Sequence, residues 1–576
     1  MHLHRFFIEF LNWARMDIRR TILLMIFAFS LLMLWNNWQM ESGNGSLFDT
    51  STTSSTNKPI AQTPQSSAST PNGVPQAPVM NQGSQSAPAL VVPPTTALSK
   101  PFVVKTDVLQ LTFDLIGAQI VQAELLKFPS TEDKSKPTLL LEQTPAHTYV
   151  VQTGLTGAPE GQSYPTHLSS FTPVTSETEM TGDTLPVSFV AESDGVRLTK
   201  TFTLHRGTYA IDVDHKIENL TASGISPSVY LQISRDGRDP ENTSSFYHTF
   251  TGPAVYTEAG KFQKISFSDI EKNKTEFVKQ ADNGWIAMIQ HYFVTAWVPV
   301  QGQQRYYDMA EVQKDIFAVR AIEPVGTVEP SNPMTVKSSL WVGPQDQSSL
   351  EALAPGLDLV VDYGWLTIIA KPLFILMTWL HSILGNWGWT IVALTVVVKA
   401  IFYPLSAASY KSMAKMKQVA PRLTALREKF GGDKQKLNMA MMEMYKTEKI
   451  NPLGGCLPIV VQIPVFISLY WVLLASVEMR GAQWVLWVDD LSVRDPFFIL
   501  PAVMMATMFL QMSLNPKPPD PMQAKVMMFM PVIFGGMMFF FPAGLVLYWC
   551  VNNILSIAQQ WYITQKITKA QAVVHR

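Results

Sequence analysis

A single lysine, Lys399, interrupts an apolar run from Gly388 to Leu405. A charge at bilayer depth costs roughly 2.5–3.5 kcal/mol on insertion scales and is retained where it faces protein or a water-filled cavity. If the run is one helix, Thr395 and Tyr403 lie four residues either side of Lys399 on the same face, and Ser406 continues that face. Such a stripe predicts a hydrophilic surface turned toward something other than lipid. The competing expectation is that Lys399 snorkels to the headgroups, since the run ends about 9 Å away at 1.5 Å per residue. The chain offers little else of catalytic type. Its ten histidines are scattered, with no HExxH and no Cys/His cluster, and no GxGxxG or Walker-type loop occurs. Neither cofactor nor metal is expected.

The elements that would position Lys399 follow from composition. Hydrophobic residues make up 47% and charged residues 15% of 576 positions, which leans toward a membrane protein with a soluble part. Arg15, Arg19 and Arg20 precede an apolar run from Thr21 to Trp35 that closes in Trp35-Asn36-Asn37-Trp38. The basic flank and aromatic belt predict an uncleaved anchor over 21–40, with residues 1–20 in the cytoplasm. Residues 41–99 are rich in Ser, Thr, Pro, Gln, Asn and Gly, too poor in large apolar side chains to fold, and read as a flexible tether.

Residues 100–355 alternate apolar and polar positions in short stretches, including Val196–Leu204, Tyr209–Ile217, Ser228–Ser234, Trp285–Val300 and Met334–Val342. With no long helical pattern between them, they predict a large antiparallel β-sandwich. Both cysteines, Cys456 and Cys550, fall outside this region, so it needs no disulfide.

From Tyr363 onward the chain is again membrane-like. Residues 363–383 are apolar on one side and read as an interface helix. Five spans are expected at 386–406, 453–476, 496–512, 526–541 and 544–562, six with the anchor, several near or below the usual length of about 20 residues. Pro458 and Pro464, either side of Gln462, and Pro531 are expected to interrupt their spans, while Pro542-Ala-Gly544 makes a tight turn. Tyr548, Trp549 and Asn552 give the last span polar handles.

An inside N-terminus places 100–355 outside and 407–450 in the cytoplasm. That segment holds ten Lys or Arg against four Asp or Glu, in keeping with the positive-inside rule. Met413, Met416, Ala420, Leu423, Leu426 and Phe430 recur at helical spacing, Gly431-Gly432 breaks the pattern, and Asp433 can cap a second helix. The result is a basic hairpin with a methionine seam, bearing Lys411, Lys415, Lys417, Arg422 and Arg427. It reads either as a solvated linker drawn to anionic lipid or as a docking arm for a cytoplasmic partner.

Several motifs, in order, carry a family resemblance. They are Asn386-Trp-Gly388, Lys399 with Tyr403-Pro-Leu405, Tyr410-Lys-Ser-Met-Ala-Lys-Met416, Asn451-Pro-Leu-Gly-Gly-Cys-Leu-Pro458, Gln462-Ile-Pro464, Asp520-Pro-Met522, Met530-Pro531 and Phe541-Pro-Ala-Gly-Leu-Val-Leu-Tyr548. Through them the chain resembles the Gram-negative branch of the YidC/Oxa/Alb family, over essentially its whole length. The resemblance implies a multi-pass protein of the bacterial inner membrane with both termini cytoplasmic, residues 563–576 forming a basic tail. It implies a five-helix insertase core over 386–562, with a hydrophilic groove open to cytoplasm and lipid, in which Lys399 holds the place of the family's basic residue. Substrate contacts would fall on Thr395, Tyr403, Gln462, Tyr548 and Trp549. The implied partners are nascent membrane proteins, the ribosome, the Sec translocon, the lipid bilayer, and small membrane subunits such as ATP-synthase and phage-coat proteins. Polar segments would cross the membrane while apolar helices leave sideways into lipid, with no bond made or broken. Two rivals differ in class. A carbohydrate enzyme would need paired acids in one cleft, and Asp212, Asp214 and Glu218 have no spacing that demands it. A solute transporter would show paired, interrupted half-repeats, and the chain lacks them.

Overall fold

Alternating side chains build the first half of the chain into two nine-stranded antiparallel sheets. The computed structural model describes residues 73–75, 101–131, 133–240, 249–430, 433–448, 457–515 and 521–574. The anchor and most of the tether lie outside these residues. In spatial order the first sheet comprises β1 (Phe102–Lys105), β2 (Leu109–Asp114), β3 (Gln119–Pro129), β4 (Pro137–Gln143), β5 (Thr148–Thr156), β10 (Ser228–Asp236), β17 (Ile316–Pro324), β16 (Arg305–Gln313) and β13 (Gln280–Ala281). The second runs β12 (Lys261–Lys264), β11 (Gly252–Thr257), β14 (Trp285–Gln290), β15 (Phe293–Pro299), β18 (Met334–Pro344), β9 (Ala210–Asn219), β8 (Val196–His205), β7 (Thr184–Ser193) and β6 (Thr172–Pro173). The expected sandwich is therefore present, with one refinement. Trp285–Val300 resolves into two strands, because the chain turns at His291-Tyr292, where Tyr292 takes a φ of +68°.

Period-two alternation sends Val151, Thr153 and Leu155 of β5 inward and Gln152, Gly154 and Thr156 to the opposite face. Val229, Leu231 and Ile233 meet Val151 and Leu155 in one apolar cluster with Phe113, Phe189, Phe202 and Trp297. One cation is buried among them. Lys200 donates to the Gly117 and Thr153 carbonyls, each at 2.6 Å, beneath the Phe171 ring. Nearby, His215 Nε2 lies 2.7 Å from Thr153 Oγ1, and burial pushes this imidazole down to about 3.

Two short helices, α1 (Phe267–Glu271) and α2 (Gln347–Leu353), are followed by eight further helices. These are α3 (Thr367–Leu384), α4 (Trp387–Ile401), α5 (Tyr403–Phe430), α6 (Lys434–Thr447), α7 (Leu457–Ala475), α8 (Ile499–Leu514), α9 (Pro521–Met537) and α10 (Ala543–Val574). Two expectations need correction. First, 386–406 is not one straight helix: α4 stops at Ile401, and α5 departs at 67°. Secondly, Pro464 and Pro531 lie within α7 and α9 without ending them, and Pro458 sits in the first turn of α7, where a missing N–H costs least. Helix α3, expected at the interface, is by length and composition the one unbroken described helix apolar enough to cross a membrane, and the bent α4–α5 pair would make two.

The sandwich and the helices meet closely. His291 Nε2 donates to the Leu474 carbonyl of α7 at 3.0 Å. Just beyond α7, Val477 enters the sandwich's apolar cluster. Arg480 donates to Pro129 O at 3.0 Å and Thr138 Oγ1 at 2.9 Å, with its guanidinium over the Phe293 ring. Lys371 also pairs with Asp358 at 2.8 Å, and Lys264 pairs with Asp362.

Candidate functional site

Helix α4 is fixed at its start. The Asn386 side chain caps it, accepting from Trp389 N at 3.1 Å, and its amide donates to Gln483 O at 3.0 Å. Gly388 is required by contact: a Cβ there would sit 2.2 Å from the Trp484 ring. Three turns on, α4 delivers Lys399 into the helix bundle with 7% of its surface exposed. The ammonium turns inward and donates to Ser556 Oγ of α10 at 2.8 Å. Among the described residues no charged group relieves its burial. Snorkelling would have left Nζ outside, and it is not there.

Ser556 belongs to a chain of polar contacts. Its hydroxyl donates to Asn552 O at 2.7 Å, and Asn552 Oδ1 accepts from Gln462 Nε2 of α7 at 2.7 Å. Gln462 also bears on the Tyr548 hydroxyl, and the Tyr410 hydroxyl of α5 converges on Ser556. Four helices thus contribute to one polar cluster inside an otherwise apolar bundle. Such a cluster holds a cation in place without neutralising it.

The structure sorts the expected site residues. Lys399, Gln462 and Tyr548 come together. Thr395 is buried on the same helix, but its hydroxyl donates to Ile391 O at 2.7 Å and so satisfies itself within α4. Tyr403 does not share the Lys399 face, because the bend at Phe402 intervenes; it is exposed and lies on the side of Lys566. Trp549 packs its ring against Phe466 and Phe534, and its indole Nε1 is buried with no hydrogen-bond partner among the described residues. Ser556 and Tyr410 were missed. Asn552, Ser556 and Gln560 recur every four residues, a stripe the last span's apolar composition hid. Gln560 uses that spacing to reach Asn515 Oδ1 at 2.9 Å.

The basic hairpin forms as α5 and α6. Asp433 caps α6 by accepting from Gln435 N and Lys436 N, each at 3.1 Å. Val419 and Leu423 pack with Met416, Met441, Met444 and Tyr445 along the seam, and Arg422 pairs with Glu448 across it. Lys411 and Lys417 are exposed and Lys415 is half-buried. The side chain of Arg427 lies outside the described residues. Met439 and Met442 are about 60% exposed on α6. Among the described residues, no cluster of three His, Cys, Asp or Glu side chains could hold a metal ion.

Comparison with known proteins places this arrangement. Residues 102–376 match the family described as YidC periplasmic domain, and residues 379–570 match the family described as 60Kd inner membrane protein. The membrane protein insertase YidC of Bordetella petrii is 64% identical over 97% of this chain and 100% of its own length. The protein of the same name from Janthinobacterium is 51% identical over 96% of this chain and 99% of its own. A crystal structure of an active YidC insertase with its first transmembrane domain resolved covers 81% of this chain and 93% of its own, at 19% identity and a TM-score of 0.38. The chain, made of a periplasmic all-β sandwich followed by a helical inner-membrane region, belongs to the YidC family of membrane protein insertases.

Proposed function

We propose that this chain inserts membrane proteins by offering their polar segments a charged, hydrophilic path among its helices. The observation that carries this reading is the Lys399 ammonium, buried within the bundle, bonded to a serine hydroxyl and lacking a carboxylate partner among the described residues. A cation so placed is costly unless something it attracts arrives. An acidic residue in an incoming segment would supply that partner, and Gln462, Asn552 and Tyr548 would offer hydrogen bonds along the way. Apolar helices would leave sideways, and no covalent step is involved. The chain would work with the anchor at 21–40 and five spans in 386–562, both termini in the cytoplasm. The hairpin, with its exposed lysines and Met439 and Met442, would receive ribosome-bound nascent chains. The Sec translocon and small subunits of the ATP-synthase and phage-coat kind would be further partners.

The test is insertion of one substrate carrying a graded series of acidic residues in its translocated segment, scored by protease protection. Lys399→Arg should retain activity. Lys399→Ala should impair it and Lys399→Glu more so, with the defect growing along the acidic series. Equal insertion by the parent protein and Lys399→Ala across the series would sink the charge-attraction role.

A further inference from the structure

The tether should be a spacer, yet three of its residues are fixed on the sandwich. Gly73 and Pro75 are buried and Val74 is half-buried, on the face of the first sheet that points away from the sandwich core. Pro75 O accepts from Thr156 Oγ1 at 2.6 Å, and Gly73 O accepts from Arg320 Nη2 at 3.2 Å. Both donors therefore engage backbone carbonyls of the segment.

The site beneath is built. Arg320 is 1% and Thr156 8% exposed. In register across β5, β10, β17 and β16 stand Gln152, Gln232, Arg320 and Asp308. They bond in sequence. Gln152 donates to Gln119 Oε1 at 2.8 Å, Gln232 to Gln152 Oε1 at 2.6 Å, Arg320 Nε to Gln232 Oε1 at 2.7 Å, and Arg320 Nη1 to Asp308 Oδ2 at 3.1 Å. This row fixes the guanidinium on all but its outward edge, and that edge meets the Gly73 carbonyl. A row of five side chains is far more than a disordered spacer needs.

The segment is suited to the site. Gly73 adopts φ +75°, a left-handed conformation that glycine takes without strain. A Cβ there would stand 3.8 Å from Val312 Cβ, ordinary contact, so backbone shape and not crowding selects glycine. Pro71 and Pro75 bracket it in sequence and restrict the chain before it docks.

We propose that the outer face of the first sheet is a binding site for an uncharged Gly-x-Pro peptide that bends at its glycine, filled in cis by Gly73-Val74-Pro75 and open to such peptides in trans when this segment leaves. Affinity comes from Arg320 and Thr156 holding two backbone carbonyls, so the site reads chain shape more than side chains.

Two measurements on the full-length protein in nanodiscs test this. A thiol-reactive dye followed by mass spectrometry should label Val74→Cys more slowly in the otherwise unchanged protein than beside Thr156→Val, which removes one of the two donors holding the segment, whereas Ser66→Cys should label equally in both. Secondly, a fluorescent peptide with the sequence of residues 70–77 is titrated by anisotropy. Replacing Gly73, Val74 and Pro75 together by serine should vacate the site and strengthen peptide binding at least tenfold over the parent protein. Adding Thr156→Val to that variant should weaken it again. Equal labelling of Val74→Cys with and without Thr156→Val overturns cis docking. Peptide binding that ignores the serine replacement or the Thr156 hydroxyl overturns the site itself. Neither readout depends on insertase activity, so failure here leaves the insertion mechanism untouched.

Discussion

Lys399 and Ser556 form a pair whose value depends on both members. If the hydroxyl serves to aim the ammonium, Ser556→Ala should lower insertion of acidic substrates by about two- to tenfold, the loss expected of one hydrogen bond worth 0.5–1.5 kcal/mol. In a Lys399→Ala background the same change should do almost nothing, and a double-mutant cycle on insertion rate measures this coupling. Additive effects would mean that Ser556 acts through its own contacts with Asn552. Gly388 presents a different case. Its missing Cβ makes room for Trp484, so Gly388→Val should destabilise the bundle by about 1–3 kcal/mol through overpacking, read as a lowered unfolding temperature in detergent. The sequence made Lys399 conspicuous because one charge stands out in an apolar run. Ser556 and Tyr410 were illegible because a hydroxyl in a helix looks the same whether it bonds its own backbone, as Thr395 does, or a cation from a helix 157 positions away.

Among the elements, the strands and the hairpin were readable and the bends were not. Alternation in Val196–His205 or Ala210–Asn219 needs no tertiary information, and Asp433 with its glycine neighbours announces a turn. The 67° bend after Ile401 has no proline at the break itself, with Pro404 one turn beyond, so periodicity ran across it and put Tyr403 on the wrong face. Prolines misled in the other direction, because α7 and α9 tolerate theirs. For the hairpin, deleting 415–445 removes a seam that is closed within α5 and α6. It should therefore weaken ribosome binding and substrate handover while leaving the core folded, as judged by cosedimentation and thermal unfolding. Unchanged ribosome binding would leave the hairpin without a docking role. Excision of the sandwich must respect β18. A deletion of 60–330, which the tether's composition invites, strands Met334–Pro344 with neither β15 nor β9 beside it. Carrying the deletion to 344 should give higher accumulation in membranes than stopping at 330, measured by immunoblot of membrane fractions.

At the scale of the molecule, the periplasmic half is built to lose stability in acid. Burial holds the His215 imidazole near 3 and His291 near 4, whereas unfolded histidine titrates at its ordinary 6.5. Below 6.5 the unfolded chain binds more protons, so the contribution of both rings is complete above that pH and falls as pH drops toward 4 and 3. Glu478 works in reverse. Burial raises its carboxyl to about 7, so its contribution is present below its ordinary 4.5 and lost as pH rises through 7. His215 and His291 together depart further from their ordinary value than Glu478 does, and the Glu323 carboxyl, also raised by burial, offsets part of the loss between pH 7 and 4. Thermal unfolding followed by tryptophan fluorescence should show the melting temperature falling across that range, and falling more steeply in Glu478→Gln. A flat profile would mean the histidines are reached by water in the native state.

The sandwich, meanwhile, holds one end of a rod. Helix α7 carries Gln462 in the polar cluster and, roughly 18 Å along at 1.5 Å per residue, the Leu474 carbonyl gripped by His291, with Val477 and Arg480 seated just past its end. Turning α7 to move Gln462 away from Asn552 would also pull on those periplasmic contacts. Thermodynamic reciprocity then follows: a molecule that binds the sandwich and loosens this grip changes the affinity of the bundle for its passenger by the same factor that the passenger changes the sandwich's affinity for that molecule. Folded mass in the periplasm would in this way be felt at a single lysine inside the helix bundle, through nothing more than the stiffness of one helix.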